Sequence, residues 1–490
     1  MRDQLPALIV LIPMAVATLM PLIAFLSVRI LPYVAVGTLI ASFICAVSVL
    51  NRVLSHGAFS YWFGGWEPPW GVEYVIDPLS AGLAVLITFF AALIAVYYGP
   101  FLREDAGAFR KGLVYALFLL MTAGLVGIVF SGDLFTLFVF IEISSLATYA
   151  LVASGGPKAA VASFNYILIG TVGVSFYLLG LGYLYALTGT LNMADLAVLL
   201  QSLEDSQTVM IALLLIIVGI SLKMALFPMH GWLPDVHTYA PPPLKAFLAG
   251  VKLKIFAYIL LRLFFFTFGA EYGEVPTILN ALGLTASIGI IVTAAIAIRQ
   301  EDFRRVLAYS TISQIGYVVL GLAIGNAVAM KGALLHIVNH AFMKCCLFFI
   351  AGSVTWKTGE YSIDMYAGLS KKMPLSMTAF LISAISMIGL PPTAGFFSKW
   401  YLVQGAIMEG AWHYVVVIAF GSLLSAIYFF KTIEQVWLKK TDQVKPPGLE
   451  LPLALLVPIM ITGVGVLVLG IFNEPIVTHV LQAMLPGRGF

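Results

Sequence analysis

The chain has 490 residues, of which 61% are hydrophobic and only 10% charged, and its 26 basic and 23 acidic side chains leave a net charge of +3. A soluble domain carries about 25% charged residues, so a mean hydropathy of +1.02 excludes an ordinary soluble enzyme and points to a chain solvated mostly by lipid. The balanced charge offers neither a basic tract for nucleic acid nor an acidic tail.

No polar linker divides the sequence, so one all-α, polytopic membrane domain is expected. The three cysteines are Cys45, Cys345 and Cys346. They form no CxxC or Cys/His ligand spacing, so no iron–sulfur cluster, zinc site or other cofactor is expected in this chain. There is no haem motif or nucleotide fingerprint either, which assigns any redox step to partner subunits. The first apolar run, Leu5 to Val28, has no small-residue cleavage site and is long enough to remain as a span.

A bilayer core takes roughly 20 apolar residues per helix. By that ruler fourteen segments run near 5–28, 30–54, 77–99, 112–131, 134–153, 159–188, 208–229, 241–268, 276–298, 304–326, 328–356, 374–408, 411–433 and 449–473. The twelfth is too long for one straight span and contains Pro391-Pro392, which predicts a broken helix. The 55–76 connection holds Tyr61, Trp62, Trp66, Pro68, Pro69 and Trp70. Trp and Tyr favour the membrane–water interface, so it reads as an ordered outer loop. With the N-terminus outside, the inner connections hold 14 Lys and Arg, the outer ones 5 (Arg2, Arg52, Arg262, Lys331 and Arg488), and the remaining 7 of the 26 lie within spans. That bias places both termini on the outer side of the cell membrane.

Charge at mid-span costs roughly 2.5–3.5 kcal/mol on insertion scales, so ionisable residues there are functional candidates by default. Glu142 lies in the middle of FTLFVFIEISSLATYA. It reads either as half of a structural ion pair or as a titrating group in an ion path. Lys223 lies in GISLKMALFPMHGWLPDVH, where Pro228 and Gly231 predict a helix distorted beside the lysine. Broken helices at membrane depth are tolerated only inside protein or beside water. Lys252 and Lys254 sit 200° apart around the eighth helix and face nearly opposite ways; spacing alone does not choose between them. Lys245 is near that helix's start and reads as interfacial. His336, His340 and Lys344 form one stripe at i, i+4, i+8, a pattern that suits a proton relay. A His-x-x-x-His metal pair is the rival reading, without a carboxylate nearby in sequence. Lys399 follows the second break, in IGLPPTAGFFSKW. Two interrupted spans, five apart, thus each carry a buried lysine, which suits inverted halves around a transport path. The local order differs, with the lysine before the proline in one and after it in the other. Lys431 reads as snorkelling, and Asp133, Asp235 and Asp302 as turn or capping residues.

These motifs resemble the antiporter-like subunits shared by respiratory complex I, Mrp-type cation/proton antiporters and membrane-bound hydrogenases. The likeness rests on WFGGWEPPWGVEYVIDPLS at 62–80, the stretch from Phe138 to Ala153, HGWLPDVHTYAPPP at 230–243, EDFRRVLAYSTISQIGY at 301–317, HIVNHAFMKCCLFF at 336–349 and GLPPTAGFFSKW at 389–400. It covers nearly the whole chain. The resemblance implies two inverted five-helix units, which divides the chain into 1–111 (helices 1–3 and the outer loop), 112–268 (helices 4–8), 269–433 (helices 9–13) and 434–490 (helix 14 and tail). It also implies a coupled Glu142–Lys223 pair, a central lysine best matched by Lys254, a polar stripe of His336, His340 and Lys344, and a terminal Lys399. Lysine at 399 looks like the Mrp D-type and hydrogenase subunits rather than the complex I member with glutamate there. The chain ends soon after the last span, without the long lateral helix of the largest antiporter-like subunit. Lys252 is an addition without a place in that scheme.

The resulting expectation is a proton-translocating subunit of a multisubunit complex, with other membrane subunits and the lipid bilayer as partners and a soluble iron–sulfur or hydrogenase arm as a candidate further one. Two alternatives are a stand-alone secondary transporter for a small solute and a membrane scaffold for a redox arm.

Overall fold

A computed structural model describes residues 4–102, 107–204, 206–439 and 450–485. Arg2, Arg103, Lys440, Lys445 and Arg488, counted above for orientation, lie outside the described residues. Helices α1 (Leu5–Leu26) and α2 (Leu31–His56) pack on α4 (Ala108–Phe130) and α3 (Pro78–Tyr98) respectively. Then come α5 (Leu134–Ala153), α6 (Pro157–Thr188), the short α7 (Met193–Leu199) and α8 (Gln207–Met224). A run of α9 (Leu233–Tyr239), α10 (Pro242–Phe247) and α11 (Leu253–Arg262) leads to α12 (Val275–Ile298), α13 (Phe303–Ile324) and α14 (Ala327–Thr358). The chain closes with α15 (Leu369–Lys372), α16 (Pro374–Ile388), α17 (Ala394–Met408), α18 (Trp412–Trp437), α19 (Leu453–Ile471) and two short turns. Among the described residues, 12 helices are long and apolar enough to cross a membrane.

Caps explain where many of these helices start. Asp77 and Ser80 form a reciprocal capping box on α3, Asp133 accepts from Thr136 N at 2.7 Å on α5, and Asn326 accepts from Ala329 N at 2.8 Å on α14. Each satisfies backbone donors that a helix start leaves open. Asp302 caps α13 in the same way. Asp235, by contrast, pairs with Arg305 at 2.9 Å and ties α9 to α13. The outer helices expose apolar stripes: on α6, Val161, Phe164, Leu168, Val172 and Leu179 face outward, as lipid contact requires. Helix α14 is buried over most of its length and packs against α13, α16, α17 and α19.

Three segments are interrupted, and they enclose the buried charges. Helix α8 stops at Met224, five residues short of the predicted end, where Ala225 takes a left-handed conformation (φ 57°). Trp232, beyond the break, turns back and donates to Leu222 O at 3.0 Å, which satisfies a carbonyl the helix end would otherwise orphan. The predicted eighth span is helical from Pro242 to Phe268, but with π turns at Leu248–Lys252 and Leu263–Phe268. The predicted twelfth span is broken between α16 and α17, with Gly389 at φ 94° followed by Pro391-Pro392.

The 55–76 connection is more than a loop. Strands β1 (Phe59–Trp62) and β2 (Glu73–Ile76) pair antiparallel, Phe59 opposite Ile76 and Trp62 opposite Glu73. Glu73 is buried and accepts from Asn192 Nδ2 at 2.7 Å and Trp62 Nε1 at 3.3 Å, while its backbone carbonyl accepts from Gly132 N at 3.0 Å. Glu73 therefore pins the hairpin to the start of α5. Truncating Glu73 to alanine leaves the Asn192 amide short of a partner, at about 1–3 kcal/mol for a buried group. The expected outcome is a lower melting temperature of the solubilised protein and faster proteolytic nicking within 63–71, with Glu73→Gln closer to wild type.

Arg262 also departs from expectation. It is not an exposed connection residue but a buried one at the end of α11, ion-paired with Asp77 and hydrogen-bonded to Tyr258 Oη at 2.8 Å. Lys431 is exposed on α18, as expected of a snorkelling side chain.

Candidate functional site

The break after α8 brings Lys223 to the face of α5. Its Nζ meets Glu142 Oε1 at 3.0 Å, Tyr149 Oη at 3.1 Å and Ser145 Oγ at 3.2 Å. Three acceptors match the three N–H bonds of an ammonium. The Lys223 side chain is 3% exposed and that of Glu142 is 27% exposed, so the pair is buried on the lysine side only.

Lys252, at the end of the first π turn, reaches the neighbouring face of the same helix. Its Nζ donates to Ser144 O at 3.1 Å and Thr148 Oγ1 at 2.5 Å. Lys254 points the other way, as the 200° offset predicted, and donates to Ala249 O within the π turn. The π turn touches α14 closely because position 250 is glycine: a Cβ there would lie 2.2 Å from Cys345 Sγ.

On α14 the three polar residues do share one stripe. Lys344 donates to Leu307 O at 2.8 Å and to Ser310 Oγ, both on α13. The rings of His336 and His340 stack with centroids 5.5 Å apart and planes at 11°. His336 Nδ1 lies 2.9 Å from Ser398 Oγ on α17, one residue before Lys399. Among the described residues, neither ring nitrogen of His340 or of His237 has a hydrogen-bond partner. Lys399 turns back over the break and donates to Met387 O, Ile388 O and Ser422 Oγ, each at 3.0 Å. The two carbonyls are the C-terminal end of α16, where a helix presents its partial negative charge. The Lys399 ammonium also lies 4.9 Å from the centre of the Tyr317 ring. Among the described residues, Lys223 is the one buried lysine of this set with a carboxylate in contact.

Lys245 is covered rather than exposed. It is 5% exposed and donates to Thr238 O at 2.7 Å. With Arg110, Lys111 and Arg304 it lines a cavity of about 320 Å³, whose walls include Tyr239 and Trp356.

Residues 131–425 match the family model described as "NADH:quinone oxidoreductase/Mrp antiporter, TM". The chain belongs to this family of antiporter-like membrane subunits. The antiporter-like subunit is 50% identical to NADH-quinone oxidoreductase subunit N of Desulforudis audaxviator (strain MP104C), over 100% of both chains. It is 32% identical to the D-type subunit of the Na(+)/H(+) antiporter of Alkalihalophilus pseudofirmus, over 98% of this chain and 96% of that one. A chain of the membrane-bound sulfane sulfur reductase, an archaeal respiratory membrane complex, superposes with a TM-score of 0.90 at 29% identity, covering 98% of this chain and 97% of that chain. A chain of the Mrp complex from Dietzia sp. DQ12-45-1b shares the fold at a TM-score of 0.89 and 24% identity, covering 98% and 96%.

Several polar members of the antiporter-like subunit's interior do not stand out in sequence. Ser144, Ser145, Thr148 and Tyr149 are ordinary helix residues until the fold sets lysines against them. His237 sits within HGWLPDVHTYAPPP but, without a visible partner, was indistinguishable from a packed histidine. A signal for the hydroxyls did exist: Ser144/Thr148 and Ser145/Tyr149 are two i, i+4 pairs, each making one polar stripe on α5.

Proposed function

We propose that this chain is a proton-translocating subunit of a multisubunit, ion-pumping membrane complex. The Glu142–Lys223 contact at 3.0 Å carries the reading. A lysine that deep in a span is held charged by one carboxylate, so anything that weakens that contact drives its proton off. Lys254 follows, then the α14 stripe in the order Lys344, His340 and His336, and Lys399, next to the Ser398 that meets His336, ends the line. Among the described residues, the rings of His340 and His237 lack hydrogen-bond partners, and buried polar atoms are normally hydrogen-bonded. Water bridging these groups completes a proton path in this proposal. The basic cavity beside Lys245 serves as its aqueous entrance from the inner side.

The organisation follows the same reading. Fourteen spans cross the cell membrane with both termini outside, and residues 112–268 and 269–433 act as inverted half-channels flanked by 1–111 and 434–490. Support comes from the two breaks, each beside a buried lysine: Lys223 is held by Glu142 on α5, and Lys399 by the carbonyls that end α16. The full-length likeness to a quinone oxidoreductase subunit at 50% identity favours a redox-driven parent complex over a sodium/proton exchanger.

The test is to purify the complex through this chain, identify its subunits, and reconstitute it in liposomes containing a pH-sensitive dye. Lys399→Ala and Lys254→Ala are expected to leave the subunit composition unchanged and to remove proton pumping. Solute transport by this chain alone in liposomes would instead establish a stand-alone transporter.

A further inference from the structure

Lys252 has no place in the path as stated, yet its surroundings are built. Its side chain is fully buried. Helix α5 carries two adjacent polar stripes: Ser145 and Tyr149 hold Lys223, and Ser144 O with Thr148 Oγ1 holds Lys252. Thr148 donates its own proton to Ser144 O at 2.6 Å, so its hydroxyl oxygen is left facing Lys252 as an acceptor. Both acceptors are neutral. The titratable groups around Lys252 are Glu142 and Tyr149 on α5, Tyr166 on α6 (ring centre 6.0 Å away), Lys223 on α8, and Lys254 along its own run. Glu142 is the one carboxylate on α5, where it lies against Lys223 of α8.

We infer that Lys252 is a second seat for the proton of the Glu142–Lys223 pair and the step that passes it on to Lys254. The inference rests on the proposed proton path. Two ammonium groups competing for one carboxylate repel each other strongly where the dielectric is low, so the pair of lysines holds one proton at a time. In the transfer, an N–H bond at Lys223 Nζ breaks and one at Lys252 Nζ forms, while the Glu142 carboxylate stays ionised and turns from one to the other. Lys252 then hands the proton to Lys254, because Lys252 closes the π turn against α5 while Lys254, just beyond it, turns back to Ala249 O. π turns recur at functional sites, and here the turn sets one lysine against α5 and the other within reach of the α14 stripe.

The experiment compares wild type, Lys252→Met, Lys252→His and Thr148→Val in the intact reconstituted complex, energised by whichever driver works for wild type, from acidic to alkaline pH. Expected results are a fall in pumping of at least about a hundredfold for Lys252→Met, the low end of what a positioned proton-transfer group contributes, and a smaller loss for Thr148→Val. Lys252→His is expected to pump, with its activity confined to lower pH, because imidazole is the weaker base (about 6.5 against 10.4). A merely structural lysine would give histidine and methionine variants the same loss at every pH, and that outcome overturns the inference. So does pumping within about twofold of wild type in Lys252→Met while Lys223→Ala is inactive; that result leaves the path standing without Lys252. Wild-type pumping in both variants would sink the path itself. Should Lys252→Met fail to assemble, Lys252→His and Thr148→Val decide: an acid-confined profile with a slowed hydroxyl variant supports the relay, and wild-type behaviour in both rejects it.

Discussion

Replacing Lys223 with alanine is expected to abolish ion pumping by the complex while its subunits still assemble. The lysine satisfies Glu142, Ser145 and Tyr149 together. Removing one partner of a buried pair costs about 3–5 kcal/mol, and here the cost falls at the lower end because the Glu142 side chain keeps 27% of its exposure. A modest drop in melting temperature should therefore accompany a complete loss of transport. Glu142→Gln separates the two effects. It keeps the shape and a hydrogen-bond acceptor but removes the charge, so stability should stay close to wild type while pumping is lost. Proton release into dye-loaded liposomes, alongside gel-filtration of the complex, measures both. Full pumping by either assembled variant would refute the assigned role.

Arg262→Ala is expected to have the largest effect on stability. Arg262 is 7% exposed and pairs with Asp77, the residue that caps α3. It also donates to Tyr258 Oη and stacks over Phe266 with 4.3 Å to the ring centre. Its loss leaves the partly buried Asp77 carboxylate without its cation and unlocks the end of the π-helical run from the start of α3. About 3–5 kcal/mol is at stake, a large part of the stability of any domain. The expected result is a chain that fails to assemble or elutes as aggregate. Arg262→Lys should recover only part, since an ammonium cannot reproduce the planar guanidinium's set of contacts. Normal assembly of Arg262→Ala would show that Asp77 finds another partner.

The spans were legible because lipid imposes one rule everywhere: backbone groups must be satisfied within the segment. Predicted and observed boundaries of α5 coincide at 134–153, and those of α12 and α13 agree to within two residues. The breaks were legible too, since Pro228 and Pro391-Pro392 cannot continue a helix. What sequence could not supply was distance. Glu142 and Lys223 are 81 residues apart, and Lys252 is 104 residues from Thr148. Hydrophobic periodicity says which residues share a face of one helix, not which helix that face meets. The π turns were invisible for a similar reason, because LAGVK has no proline to announce an irregular turn. Closeness to a helix end in sequence is not exposure: Lys245 and Arg262 both lie near helix ends and both are covered by neighbouring segments, Lys245 along the wall of the basic cavity. The hairpin at 59–76 was hidden by its short strands and by aromatic residues that suit an interface as well as a sheet.

The partial exposure of Glu142 reaches beyond this chain. Phe135, Val139 and Leu146 share its outward face of α5 and are 51%, 37% and 61% exposed. A carboxylate set in such an apolar stripe is expensive against hydrocarbon, so in the complex this face belongs at a seam between subunits rather than at the lipid boundary. A cysteine at Val139 should accordingly crosslink to a neighbouring membrane subunit. The first ion pair of the path then has its handle on the outside. A positive charge brought up by the neighbour draws Glu142 away from Lys223, and a negative one presses it back. On the proposed path, identical copies of this chain would behave differently beside different neighbours, and the seam would set the timing of proton release.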